Sequence, residues 1–241
     1  MAVLICAFFL ALPCSYAELK QTPDLKPGVE ILFGQYEADK HPENGKEPIE
    51  WIVLEVQDNK ALLVSKQALD CVSFHHSKED IVWLSSGIRE WLNGEFWNES
   101  FTEEEKAAIL ETEISNLAEE GNDAWTPAMG SDTTDKVFLL SYQEAMRFFQ
   151  EQNDRKITGT EYARSQGARF AGITSFGIGE TDWWLRSPGR ASGEAAFVNV
   201  YGNVGTKKVN AKQGVRPAIW ISLLSDGSNF PYTKYSHAIP Q

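Results

Sequence analysis

Two apolar, β-branched runs stand out first along the chain, Pro48 to Val56 (PIEWIVLEV) and Ala61 to Ser65 (ALLVS). The four residues between them, Gln57-Asp58-Asn59-Lys60, contain Asp and Asn, which tolerate the left-handed backbone of a tight turn, so the pattern predicts a hairpin. Ile31 to Tyr36 predicts a shorter strand before it. Helical spacing follows. Ser85-Ser86 can cap a helix that places Ile88, Trp91, Leu92 and Phe96 on one side. Thr102 with Glu103, Glu104 and Glu105 has a helix cap followed by an acidic first turn, suited to the positive end of a helix dipole. Lys136 to Ser141 (KVFLLS) reads as strand, Ser141 can cap a helix carrying Ala145, Phe148 and Phe149, and Thr160 to Gln166 reads as a further helix. From Asp182 onward the pattern is strand and turn: WWLRS (183–187), AAFVNVYG (195–202) and GVRPAIWI (214–221). Strands at both ends with helices between predict an α+β fold of N-terminal hairpin, central helices and C-terminal antiparallel strands.

Ahead of this domain, an apolar run from Val3 to Leu12 precedes Pro13 and the small residues Ser15 and Ala17. Ten apolar residues span about 15 Å as a helix, half of a bilayer core, so the segment reads as an export signal cleaved after Ala17 and not as a membrane span. No Lys or Arg precedes the run, and a buried N-terminal strand or helix is the alternative. The expected organisation is a signal peptide at 1–17, an N-terminal arm at 18–30, one α+β domain at 31–224 and a C-terminal tail at 225–241. Export makes the protein secreted or held at the cell surface. It also removes Cys6 and Cys14 and leaves Cys71 without a disulfide partner.

Composition narrows the partners. The chain has 241 residues, 42% hydrophobic and 23% charged, with 34 acidic against 22 basic residues and a formal net charge of −12. Ordinary globular proportions exclude wholesale disorder, and the acidic balance opposes nucleic acid as a partner. The charge is uneven. Residues 99–123 carry nine acidic side chains and one lysine, whereas 183–224 carry six basic ones against Glu194 alone. Either the basic stretch is a surface for acidic sugars or an acidic protein, or the two stretches satisfy each other.

Taken in order, PIEWIVLEV…ALLVS, SSGIREWLNGEF, FTEEEKAAI, DKVFLLS, EYA, WWLRSPG, AAFVNVYGNV and GVRPAIWI resemble a bacterial family of secreted proteins known as domain of unknown function 6273. The likeness covers about residues 30–223. The C-terminal part also resembles the C-type-lectin-like fold shared by formylglycine-generating enzymes and retroelement-diversified binding proteins, through its Trp-rich strand, Asn/Gly hairpin and closing Gly-Val-Arg strand. The calcium-dependent sugar loops of that fold are not matched, since Glu47-Pro48-Ile49 lacks the asparagine. Nor are the cysteine pair of the formylglycine-generating enzymes or an iron-binding His/Glu set.

No Gly-x-Ser-x-Gly elbow, phosphate loop or dinucleotide fingerprint occurs, so no catalytic residue, cofactor or metal is assigned. Cys71, His75 and His76 lie close together, but adjacent histidines rarely ligate one ion. The favoured recognition surface is the hairpin region from Arg190 to Gln213. Alternation there places Ala196, Val198 and Val200 inward, and Phe197, Asn199 and Tyr201 outward as an aromatic platform beside an amide. Arg190, Glu194, Asn203, Lys207, Lys208 and Asn210 extend it, with Trp183 as a further candidate because neighbouring Trp183 and Trp184 should face opposite ways. An ordinary solvated sheet face is the alternative. Arg186 and Arg216, inside apolar strands, are expected to pair with a carboxylate such as Asp182 or Glu194. Trp51, Trp91, Trp184 and Trp220 read as core, and Trp125 as a possible exposed anchor.

The expectation is thus a non-catalytic module that binds a glycan or protein ligand outside the cell. The rivals are an enzyme of the formylglycine-generating superfamily with a replaced active site near Trp183 and Arg186, and an interaction domain of an envelope assembly.

Overall fold

In the computed structural model, residues 25–117, 130–174, 177–223 and 233–234 are described. The expected signal segment 1–17, most of the expected 18–30 arm, Trp125 and most of the 225–241 stretch lie outside the described residues.

The predicted hairpin forms. β1 (Glu30–Tyr36), β2 (Glu47–Gln57) and β3 (Lys60–Ser65) run antiparallel, and Gln57 pairs with Lys60. That register leaves a two-residue turn in which Asp58 takes φ 51°, the left-handed region Asp enters at low cost. After β4 (Asp70–Ser73) comes a helical run: α1 (Gly87–Trp91), a π-helical turn (Leu92–Phe96) and α2 (Trp97–Ser100). Ser86 caps it by accepting the Arg89 amide at 3.3 Å, and Ile88, Leu92 and Phe96 point into the core. Thr102 and Glu105 form a reciprocal capping box on α3 (Glu103–Ala108), as do Ser141 and Glu144 on α4 (Tyr142–Phe148). Between them lie β5 (Thr112–Ile114) and β6 (Thr133–Asp135). Then follow β7 (Ile157–Thr158), α5 (Glu161–Ser165) capped by Thr160, β8 (Ile173–Thr174), β9 (Gly177–Ile178) and β10 (Glu180–Thr181). The C-terminal strands are β11 (Trp183–Pro188), β12 (Glu194–Val198), β13 (Val204–Lys208), β14 (Lys212–Val215), β15 (Ala218–Ser222) and β16 (Thr233–Lys234).

Two five-stranded sheets result, ordered β15-β3-β2-β1-β16 and β13-β12-β11-β14-β4. All their pairings are antiparallel except β11 with β14. The architecture is α+β. Trp51, Phe33, Leu63 and Ile219 of the first sheet and Trp183, Trp184, Leu185 and Val198 of the second belong to one buried apolar cluster.

Four local expectations are corrected. GVRPAIWI is two strands in different sheets: Pro217 cannot donate to a ladder, and the chain crosses between sheets at Arg216-Pro217. KVFLLS is an extended buried segment with a single bridge to β15 at Phe138 and Ala218. Its backbone is satisfied largely by side chains: Asn93 Oδ1 accepts from the Lys136 and Val137 amides, and Arg186 Nη1 donates to the Leu139 carbonyl at 3.0 Å. Trp183 and Trp184 do face opposite ways, yet both are fully buried, because each side of β11 is covered. Trp183 meets Phe149, and Trp184 meets Phe74 and Phe197.

The fourth correction concerns the buried arginines. Arg186 pairs with Glu144, not with Asp182 or Glu194, and also holds the carbonyls of Leu139 and Ser115. Arg216 has no carboxylate partner among the described residues. Its guanidinium lies 4.6 Å from the Phe149 ring and 4.9 Å from Trp183, Nε donates to the Ser65 carbonyl at 2.9 Å, and Nη1 is without a hydrogen-bond partner. Burial pulls its pKa below the usual guanidinium range.

Candidate functional site

The hairpin expected to carry recognition is solvent-facing at its tips, but the platform does not form. β12 ends at Val198, so alternation no longer governs the next residues. Asn199 opens a turn instead: its Oδ1 accepts the amides of Tyr201 at 2.9 Å and Asn203 at 3.1 Å. This engages the acceptor half of the amide expected to meet a ligand. Gly202 takes φ 79°, and a Cβ there would run into the Gln152 carbonyl, so the turn is seated on the 150–155 loop. Phe197 packs inward on Trp184, opposite Gly205 and beneath the Lys207 ammonium, 5.5 Å from its ring centre. Glu194 accepts from Lys208 Nζ at 3.0 Å and Thr206 Oγ1 at 2.8 Å, which hold its carboxyl below the usual range. Trp183 is sealed in the core and is corrected as a surface candidate. Tyr201 (59% exposed), Arg190, Asn203, Lys208 and Asn210 remain at the surface, with Asn199 and Lys207 half-buried. None of the nine lines either cavity described below.

The larger concavity lies elsewhere. A groove of about 470 Å³ runs between the start of α1 and β6, lined by Leu84, Ser85, Arg89, Glu90, Glu111, Thr134 and Lys136 among others. Its floor is built around Asp135, whose carboxylate is enclosed. Oδ2 accepts from Trp83 Nε1 and Thr133 Oγ1, each at 2.8 Å, and Oδ1 accepts from Arg89 Nε at 2.6 Å. Arg89 also donates to the carbonyls of Leu84 (3.1 Å) and Thr134 (3.3 Å), tying the two walls together. Asn93, one helical turn beyond Arg89, donates to the Arg89 and Val137 carbonyls. The floor is therefore rigid and satisfied, while the mouth presents exposed Ser85, Glu90, Glu111 and Thr134 and half-buried Lys136. Lys136 Nζ lies 3.4 Å from Glu111 and 5.0 Å over the Trp97 ring.

A second cavity of about 200 Å³ is lined by Tyr36, Glu37, Glu47, Glu50 and Thr160 among others. Near its wall, Tyr36 donates its hydroxyl to Asp70 Oδ2 at 2.7 Å. Burial, more than any charge, raises the pKa values of both groups. Cys71 beside them is buried, and desolvation pushes its thiol up to about 12, so it is a poor nucleophile. Glu37, Asp39 and Glu47 cluster here, yet their oxygens accept the His41 and Ala38 amides and the Asn44 side chain. His75, His76 and Glu79 also cluster. His75 Nδ1 accepts the Gly87 amide at 3.1 Å, so in the neutral ring Nε2 carries the proton that faces Glu79 at 3.3 Å. That tautomer has no lone pair left for an ion.

Residues 58–223 match the family described as Domain of unknown function (DUF6273). The chain belongs to this family. No curated protein and no solved structure matches it. The DUF6273 match begins at the β2–β3 turn, so β1 and all of β2 precede it while completing the same sheet. Arg89 and Asn93 of this DUF6273 domain sit in SSGIREWLNGEF, and Asp135 opens DKVFLLS. Arg89 and Asn93, one turn apart beside the apolar Ile88–Leu92–Phe96 stripe, were the available signal, but spacing alone could not pair the two segments.

Proposed function

We propose that this DUF6273 domain is a non-catalytic binding domain that works outside the cell and holds a carbohydrate in the groove between α1 and β6. The observation that carries the reading is the division of labour there. Asp135, Arg89 and Asn93 are held to one another and to both walls by several hydrogen bonds each, while hydroxyl, carboxylate and ammonium groups converge at the mouth. A preorganised polar concavity of this kind suits a ligand rich in hydroxyls, which both donate and accept. Enclosure of the Asp135 carboxylate by three donors, and burial of the Cys71 thiol, favour binding over catalysis. The export signal at 1–17 supports a secreted or cell-surface location, and the family resemblance supports a bacterial source. The Trp-rich strand, Asn/Gly turn and closing Gly-Val-Arg strand support a C-type-lectin-like character for the C-terminal sheet.

Saturation-transfer NMR against a panel of neutral, acidic and amino sugars tests the proposal. A sugar that binds should lose about tenfold in affinity in Glu90→Ala and Thr134→Ala, each contributing about one hydrogen bond or more. Failure of every sugar to bind, or binding that neither variant weakens, refutes it.

A further inference from the structure

The second sheet ends on β13, and the pairing there decides which backbone groups face outward. The Asn199 amide donates to the Asn203 carbonyl at 2.9 Å, and the Val209 amide to the Gly193 carbonyl at 3.0 Å. Hydrogen-bonded pairs alternate with non-bonded ones in an antiparallel ladder, and the register sets Ala195 against Lys207 and Phe197 against Gly205. Gly205 and Lys207 therefore turn their backbone groups toward β12, and Val204, Thr206 and Lys208 turn theirs away. The Lys208 carbonyl is taken by the Ala211 amide at 2.9 Å. The amides of Val204, Thr206 and Lys208 and the carbonyls of Val204 and Thr206 have no neighbouring strand among the described residues.

One cation beside this edge stands unopposed. Lys207 lies over the Phe197 ring with no carboxylate against it among the described residues, while exposed Lys208 pairs with Glu194 at 3.0 Å. We propose that β13 takes an extended acidic peptide of a partner protein as a sixth strand. Donors and acceptors at every second residue match the repeat of an extended backbone, and acidic side chains on one face of the added strand reach Lys207. A second copy of the chain is disfavoured as occupant, since pairing β13 with itself brings these lysines together between molecules of net charge −12. The edge shares no residue with the groove, so the two proposals stand or fall separately.

The test uses the full chain with the acetylated, amidated peptide Glu-Val-Glu-Val-Glu-Val-Glu and its lysine counterpart as probes, read by fluorescence anisotropy and by amide hydrogen exchange. The acidic peptide should bind, and should slow exchange at Val204, Thr206 and Lys208 specifically. Thr206→Pro removes an outward amide without touching the ladder to β12 and should weaken binding about five- to tenfold, whereas Thr206→Val changes it less than about twofold. Lys207→Glu should weaken it several-fold, and added salt should do the same. If Thr206→Pro fails to fold, Val204→Pro applies the same test. No binding, equal binding of the lysine peptide, or unchanged exchange at the three amides overturns the proposal. That last result would leave the lysines with the simpler role of keeping bare strand edges apart.

Discussion

Replacing Asp135 by Asn perturbs the floor of the groove at a position where size is kept and charge is lost. The wild-type side chain is fully enclosed and accepts from Trp83, Thr133 and Arg89. Asn offers one acceptor oxygen. Facing it toward Trp83 and Thr133 keeps both bonds and sets an NH₂ group against Arg89 Nε, donor to donor. A charge-assisted bond contributes roughly 1.5–3 kcal/mol, and breaking a fully buried ion pair costs about 3–5. Arg89 is 24% exposed and keeps its carbonyls at Leu84 and Thr134, which places the loss at about 2–3 kcal/mol. Asp135→Ala, which also strands the indole N–H and the threonine hydroxyl, should lose about 4–5 kcal/mol. Urea unfolding followed by tryptophan fluorescence measures both, and a cycle with Arg89→Met should return a coupling above about 1.5 kcal/mol. An Asn variant within about 0.5 kcal/mol of wild type would refute the reasoning, because the carboxylate would then not be what holds Arg89.

Three further outcomes are expected. Asn199→Ala removes the acceptor of two turn amides and should cost about 1–2 kcal/mol in denaturant unfolding, while Tyr201→Ala should stay within about 0.5 kcal/mol. The reverse order would restore the aromatic-platform reading. Arg216→Met, which removes a buried cation lacking a carboxylate, should be neutral to about 2 kcal/mol stabilising, against a loss of about 3 kcal/mol or more for the cavity left by Arg216→Ala; a Met variant as unstable as the Ala one would show that the guanidinium is needed. Asp70 has its pKa raised by burial in the folded state, so the folded chain holds that proton more tightly than the unfolded one. Its stabilising contribution is present below the unfolded carboxyl pKa and is lost as pH rises through the folded value. Asp70→Asn should therefore gain on wild type from about pH 4 to pH 7 in unfolding experiments, and a pH-independent difference would contradict this.

Elements whose signal is local were legible in the sequence. Asp58 sits in the expected turn, Ser86, Thr102, Ser141 and Thr160 cap the expected helices, and Trp51 and Trp184 are in the core, because alternation, capping and turn chemistry act over a few residues. The limit appeared where a side chain's partner is distant along the chain. Lys136–Ser141 has the composition of a strand, but Asn93 and Arg186, 44 and 47 residues from the carbonyls they bind, take the place of a ladder. Alternation carried past Val198 put Asn199 and Tyr201 on a face that the turn abolishes.

By itself, then, the sequence determined the class of fold, the hairpin and the helix starts, since each follows from propensities and periodicities that a short segment expresses alone. Tertiary structure decided that Arg216 rests on Phe149 and Trp183 in place of a carboxylate, that both faces of β11 are covered, and that Asp135 meets Arg89 across a groove. Those are packing outcomes between segments distant in sequence, where burial and hydrogen-bond satisfaction of the whole chain outweigh any local preference.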